Sequence, residues 1–152
     1  MKDLKKFNIR VYGLVVYKGS VLVSHENYKN KEFTKFPGGG LEWGESTHDC
    51  LIREFKEELN INVSPGFLFH TTESFQISSF SSDEQVVAIY FLVNSDEFDN
   101  IITETRISEN PDKGELFEWI SLDDFELSIL SFATDREAAA KLFEKEQLDL
   151  NI

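Results

Sequence analysis

Basic residues are scarce in this 152-residue chain: 15 Lys and Arg stand against 28 Asp and Glu, a formal charge of −13. Such a surface repels a phosphate backbone, whose binding relies on Lys and Arg displacing counterions, so no nucleic acid polymer is expected as a partner. A small phosphate compound is admissible if a divalent cation bridges the like charges. Cysteine is scarcer still, and the single Cys50 excludes an intrachain disulfide and a cysteine-built zinc cage. Long apolar runs are missing too. Val86 to Val93 is the longest, about eight residues against the roughly 20 of a membrane span, so no membrane partner is expected. The opening Met1-Lys-Asp-Leu-Lys-Lys carries no basic-then-apolar export signal, which makes the cytoplasm the expected address. No Pro/Gly/Ser linker, repeat or low-complexity tract divides the chain. What is present is 41% hydrophobic residues with 14 Phe, enough for the core of one domain over 1–152.

Hydropathy patterning gives the order of elements. Phe7 to Tyr17 reads as a strand that begins half exposed and ends buried on both faces. Lys18-Gly19-Ser20 turns it into a second strand, Val21 to Ser24. Glu26 to Glu32 is polar and loop-like, and Phe33 to Gly40 is a short strand broken by Pro37 and three glycines. Ser46 to Leu59 is the clearest helix, with Ser46 and Asp49 as its capping box. A strand region, continuous or with a break, follows over Phe67 to Phe80, then Val86 to Val93, a central strand. Asn94 to Gly114 reads as a loop, Glu115 to Ile120 as a strand, and Thr134 with Glu137 as the cap of a last helix running to about Gln147. The class is α/β or α+β: an α/β/α sandwich with a mixed central sheet, one mid-chain helix and one C-terminal helix.

The mid-chain helix carries an acidic stripe. At about 100° per residue with Glu54 at zero, Glu57 falls near 300° and Glu58 near 40°. Ile52, Phe55 and Leu59 fall near 160°, 100° and 140°, on a separate face that can bury. Like charges at i,i+3 and i,i+4 disfavour an isolated helix by about 0.2–0.5 kcal/mol per pair. A solvated face explains most such stripes; a site for hard divalent cations is the alternative. Gly38-Gly39-Gly40, just ahead, tips the balance, because backbone without Cβ can bring carbonyls to a metal and N–H groups to an anion.

Gly39, five residues, Glu45, seven residues, then Arg53-Glu54-Phe55-Lys56-Glu57-Glu58-Leu59-Asn60-Ile61 resembles the Nudix box, G-x5-E-x7-R-E-U-x-E-E-x-G-U, with every charged position in register. Phe55 replaces an aliphatic residue. Asn60 replaces the last Gly at a position wanting left-handed geometry, where Asn is next best. The flanking order of elements is also similar to a Nudix domain, of the MutT-like kind.

That resemblance implies Mg²⁺- or Mn²⁺-dependent hydrolysis of a pyrophosphate bond in a nucleoside diphosphate linked to another group, by water attacking phosphorus. It implies Glu57 and Glu58 as principal metal ligands with the Gly38 carbonyl, and Glu54 as ligand or general base. Arg53 would orient the glutamates by bidentate pairing, which Lys does poorly. Gly38, Gly39 and Gly40 with Glu45 would form the loop around the substrate, Glu45 pairing with Arg53 or closing the loop. Cys50 reads as a small buried residue. Among glutamates outside the box that family members recruit as metal ligand or base, Glu115 is favoured over Glu84, Glu104 and Glu109. His25, His48 and His70 show no ligand spacing, and Phe33, Phe75 and Phe80 are candidates to stack on a base. Trp43 in the loop is assigned no role. Markers of the ADP-ribose, dinucleoside polyphosphate and coenzyme A subfamilies are missing, and a nucleoside triphosphate, a nucleotide sugar or a similar compound is admissible. The alternative is a catalytically silent nucleotide- and metal-binding sensor. An exposed sheet edge would suit a homodimer.

Overall fold

The computed structural model describes residues 3–28, 30–103 and 113–149. Its chain gathers into two compact units, one of residues up to Val15 with Pro37–Ile101, the other of Val16–Phe36 with Ile102 onward.

In the first unit β1 (Lys6–Leu14) lies between β5 (Gly38–Gly40) and β7 (Glu84–Asn94), and β6 (Ser64–Thr71) forms the far edge. β1 runs parallel to β7, from Lys6 opposite Glu84 to Leu14 opposite Leu92, while β5 and β6 are antiparallel to their neighbours, so the sheet is mixed. The central position of β7 accounts for its continuous apolar run. The strand expected over Phe67 to Phe80 starts earlier and stops at Thr71; beyond it a single bridge, Ile77 to Gln85, touches the sheet. Two register shifts in β6 and its exposed Phe67 and Leu68 go with an edge strand.

Helix α1 (Thr47–Leu59) forms as its sequence directs. The Ser46 side chain accepts from the Asp49 N–H, Asp49 answers the Ser46 N–H, and Asn60 ends the helix at φ 55°, ψ 37°. Phe55 packs directly on the sheet backbone: a Cβ on Gly13 would lie 2.7 Å from two of its ring carbons. The buried residues are Cys50, Leu51, Phe55 and Leu59, whereas Ile52, expected inside, is 41% exposed. The buried stripe is thus rotated toward Glu54, because β5, all glycine, offers the helix a surface without side chains.

In the second unit β3 (Ser20–Tyr28) pairs with β2 (Val16–Tyr17), with β4 (Lys31–Lys35) and, along its whole length, with β8 (Lys113–Ser121). Lys18 and Gly19, at φ 49° and 73°, make the two-residue turn between β2 and β3. Glu26 to Glu32 is a hairpin, not the expected loop. β3 is paired here with β4 on one side and β8 on the other, so these polar residues lie within a sheet, which composition alone does not reveal. Helix α2 (Ala133–Asp149) buries Ala138, Ala139 and Leu142. It begins one residue before Thr134, with the Phe132 carbonyl accepting from the Arg136 N–H, so Thr134 lies inside the first turn instead of capping it. The class expected from the sequence, α and β with a mixed sheet, a mid-chain helix and a C-terminal helix, is the one observed.

Candidate active site

Three consecutive glycines pair with β1, Gly40 opposite Arg10, Gly39 opposite Val11 and Gly38 opposite Tyr12. Gly38 has φ 144°, and a Cβ there would lie 2.2 Å from the Val11 carbonyl oxygen, so both backbone and space demand glycine. Gly39 is required by space alone. A Cβ on it would lie 2.3 Å from Glu54 Oε1 and 2.8 Å from Oε2. The Glu54 carboxylate therefore occupies the place a side chain would take.

Arg53 ties the loop to the helix. Its Nε donates to Glu45 Oε2 at 3.0 Å and its Nη2 to Glu45 Oε1 at 2.7 Å, a bidentate pair. Nη2 also donates to the Gly40 carbonyl at 3.0 Å, and Nη1 to Glu54 Oε1 at 2.9 Å and Glu57 Oε2 at 3.4 Å. Glu45 does both things expected of it, since its Oε1 also accepts the Glu42 N–H at 2.8 Å and closes the loop. The guanidinium, first of all causes, holds the Glu45 carboxyl down at about 2, and Glu45 in turn keeps Arg53 firmly cationic. Cys50 is buried with Sγ 3.6 Å from the Gly40 carbonyl; burial, then the charge of Glu45, pushes its thiol up to about 12. It is an inert packing residue, as expected.

Charge is unbalanced here. Glu42, Glu45, Glu54 and Glu57 all lie within 4 Å of the one Arg53 guanidinium, and Glu58 follows on the next turn. Glu54 is nearly buried, its side chain 12% exposed, whereas Glu57 is 60% exposed. Together with backbone carbonyls these are hard oxygen donors, the set that suits Mg²⁺ or Mn²⁺. Trp43, in the same loop, is fully exposed.

The histidines are structural in their surroundings. His48 lies edge-on to Phe91, their ring centres 5.0 Å apart, and His70 is buried against Tyr90. Glu84 pairs with Lys6 at 3.2 Å. Glu104 and Glu109 lie outside the described residues.

Glu115 belongs to the second unit, on β8, directly opposite Glu26 on β3. Ser24 Oγ donates to its Oε1 at 3.3 Å. Burial, then the charge of Glu26, pushes the Glu115 carboxyl up to about 7, against the pull of Lys35 and Ser24. Lys35 is itself buried, its Nζ 3.3 Å from Glu26 Oε1 and donating to the Phe36 carbonyl. A carboxyl that titrates near neutrality is matched to proton transfer. Glu26 and Lys35 escape sequence reasoning because their meeting depends on strand register; the only local signal is the alternation of Leu22, Ser24 and Glu26 on one face of β3.

Comparison with known proteins agrees with this geometry. The NUDIX domain family model matches residues 7–144. An 8-oxo-dGTP diphosphatase of Proteus vulgaris is 30% identical over 108 residues, 70% of this chain and 90% of that protein. Among solved structures, the MutT NUDIX hydrolase of Burkholderia pseudomallei superposes with TM-score 0.68 at 24% identity, covering 91% of this chain and 99% of its own. The MutT protein of Methanosarcina mazei gives TM-score 0.69 at 23% identity, covering 94% and 96%. At these identities the structural matches establish the fold. Among the described residues no helix is long and apolar enough to cross a membrane.

Proposed function

The chain belongs to the NUDIX family of hydrolases, and from that premise we propose that it cleaves a pyrophosphate bond of a nucleoside triphosphate, with Glu54, Glu57, Glu58 and the Gly38 carbonyl holding Mg²⁺ or Mn²⁺. The family acts on small nucleoside diphosphate derivatives and generally uses a divalent metal; the finer choice of a triphosphate leans on the Proteus relative, which is named for 8-oxo-dGTP. We take residues 1–152 as one functional domain.

The observation that carries the reading is the fit of Glu54 to Gly39, a carboxylate standing where a Cβ would be. A solvated acidic face has no need of such a fit. A bound divalent cation would neutralise phosphate charge and lower the pKa of a water. The chain's own residues do the rest. Arg53 fixes Glu54 and Glu57 in place through shared donors and anchors them to the loop through Glu45 and Gly40. Glu54, with one oxygen engaged by Arg53, has a second to ligate or to accept a proton. Glu115, from outside the box, is the other candidate proton acceptor. The glycine strand brings backbone close to the phosphates without a side chain between.

The test is phosphate release, coupled to a phosphatase, over a panel of nucleoside triphosphates and nucleotide sugars with Mg²⁺. Turnover of triphosphates above nucleotide sugars is the expected result. Inactivity of folded protein across the whole panel would favour the silent sensor instead.

A further inference from the structure

Register assigns the strand residues of the first unit to the two faces of its sheet. Gly13 of β1 stands opposite Phe91 of β7, and a Cβ on it would lie 2.7 Å from two ring carbons of Phe55, so this is the face that α1 covers. The two-residue period puts Phe7 and Ile9 on the same face, beside Gln85 and Val87, with Ile89 next along β7. β6 adds Leu68, opposite Phe91, and Thr71, opposite Ile89. Ile77 joins them through its bridge to Gln85.

The helix covers only part of this face. Phe55 lies over Gly13, and His48, in the first turn of α1, lies edge-on to Phe91. Beyond the helix the face is open: Phe7 is 69% exposed, Leu68 54%, Ile9 38% and Ile77 37%, with Val87 and Ile89 half-buried between them. A sheet face left to water normally carries polar residues. Here they are apolar, and the patch offers on the order of 400 Å² of apolar surface, the size at which such a patch serves an interaction. A standard interface takes about 800 Å² from each partner, a little over half of it apolar, so this patch supplies most of the apolar part of one.

Three features name the occupant. Among the described residues, no strand residue that register assigns to this face is charged, so a chain at −13 meets its own copy here against the least repulsion. An anionic bilayer would be repelled by the surrounding charge. The open end of the face is bounded by Lys5 and Asp83, the Lys5 N–H donating to the Asp83 carbonyl at 2.9 Å, so the rim holds both signs and a twofold-related copy can offer each its opposite. Sheet faces also pack well on one another, about 10 Å apart with side chains interdigitating. The sheet edge is less suited to pairing, because β6 shifts register twice and contains Pro65.

We propose that the chain pairs with a second copy of itself through this sheet face, with Phe7, Ile9 and Ile77 at the centre of a twofold interface and Leu68 at its margin. Sedimentation velocity of the full chain tests it. An interface of this size supports a dissociation constant of about 1 µM or tighter. At about 100 µM the wild type should therefore sediment at twice its 17.5 kDa. Phe7→Glu and Ile77→Lys, each placing charge at an exposed site on the patch, should raise the dissociation constant at least tenfold. Phe7→Leu keeps the patch apolar and should stay within a few-fold of wild type, and so should Trp43→Ser, a fully exposed site away from the sheet. Cooperative thermal unfolding confirms that each variant is folded. A wild type that keeps the mass of one chain at about 100 µM would overturn the proposal and leave the face to another protein or a lipid surface. A dimer that Phe7→Glu and Ile77→Lys leave intact, or that Trp43→Ser weakens as much, would overturn it as well.

Discussion

Replacing Gly39 by alanine changes a single methyl group at the point where strand and carboxylate meet. The added Cβ would lie 2.3 Å from Glu54 Oε1 and 2.5 Å from Cδ. An ordinary contact is about 3.4 Å, so the carboxylate must retreat by roughly 1.1 Å. Glu54 cannot do this freely, because Arg53 holds Oε1 at 2.9 Å and is itself fixed by Glu45 and Gly40. A displacement of about 1 Å in a positioned group costs on the order of a hundredfold in rate. Overpacking costs roughly 1–3 kcal/mol in stability. Gly39→Ala should therefore lower kcat for Mg²⁺-dependent pyrophosphate cleavage about a hundredfold with a smaller change in KM, while thermal unfolding stays cooperative. Gly40→Ala is the matched control: the nearest atom to its Cβ is Arg10 Nη1 at 3.6 Å, so its kcat should stay within a few-fold of wild type. A Gly39→Ala enzyme as fast as the Gly40→Ala one would refute the argument that Glu54 is held against the strand for catalysis.

Two further outcomes follow from the geometry. Arg53→Lys keeps the charge but not the fork that spans Glu45, Glu54 and Gly40, so kcat/KM and Mn²⁺ affinity should each fall roughly 10–100-fold; unchanged Mn²⁺ affinity in a titration followed by electron paramagnetic resonance would count against it. Glu115 has its folded-state pKa raised, from 4.5 to about 7, mainly by burial and then by Glu26, so the native state binds the proton more tightly than the unfolded chain. Stability is then lost as pH rises from about 4.5 to 7. At about 1.36 kcal/mol per pH unit the ceiling is roughly 3 kcal/mol, which partial solvent exposure reduces to ~1–2. In EDTA, Glu115→Gln should unfold at higher temperature than wild type at pH 8 and lose that advantage at pH 4; an advantage that does not depend on pH would exclude burial of the carboxylate as its cause.

Much of the site could be read from the chain because it is local. Ser46, Asp49 and Asn60 specify both ends of α1 through contacts within a few residues, and the spacing of Glu54, Glu57 and Glu58 fixes their common stripe. Pairing of Glu45 with Arg53 spans only one loop and follows from the charges available. What the sequence did not disclose depends on partners distant in the chain. The wheel placed Ile52 inside and the carboxylates on a separate face, because it could not know that the opposing strand has no side chains. The residues from Glu26 to Glu32 read as a loop because the paired strands β3 and β4 tolerate polar residues that composition assigns to turns. Glu26, Lys35 and Glu115 come together only through the register of β3 with β4 and β8, across up to 91 residues of sequence in the case of Ser24 and Glu115. The alternation along β3 sets which face each residue takes, but not which distant strand pairs with it.

The central claim is that the carboxylates of α1 and the Gly38 carbonyl exist to hold a divalent cation. Its most direct test is the anomalous scattering of crystals soaked in Mn²⁺ with a non-hydrolysable triphosphate analogue. The account predicts a peak about 2.0–2.3 Å from carboxylate oxygens of Glu57 and Glu58, with the analogue's phosphates beside the glycine strand. Ordered analogue with no anomalous peak at these glutamates would contradict it.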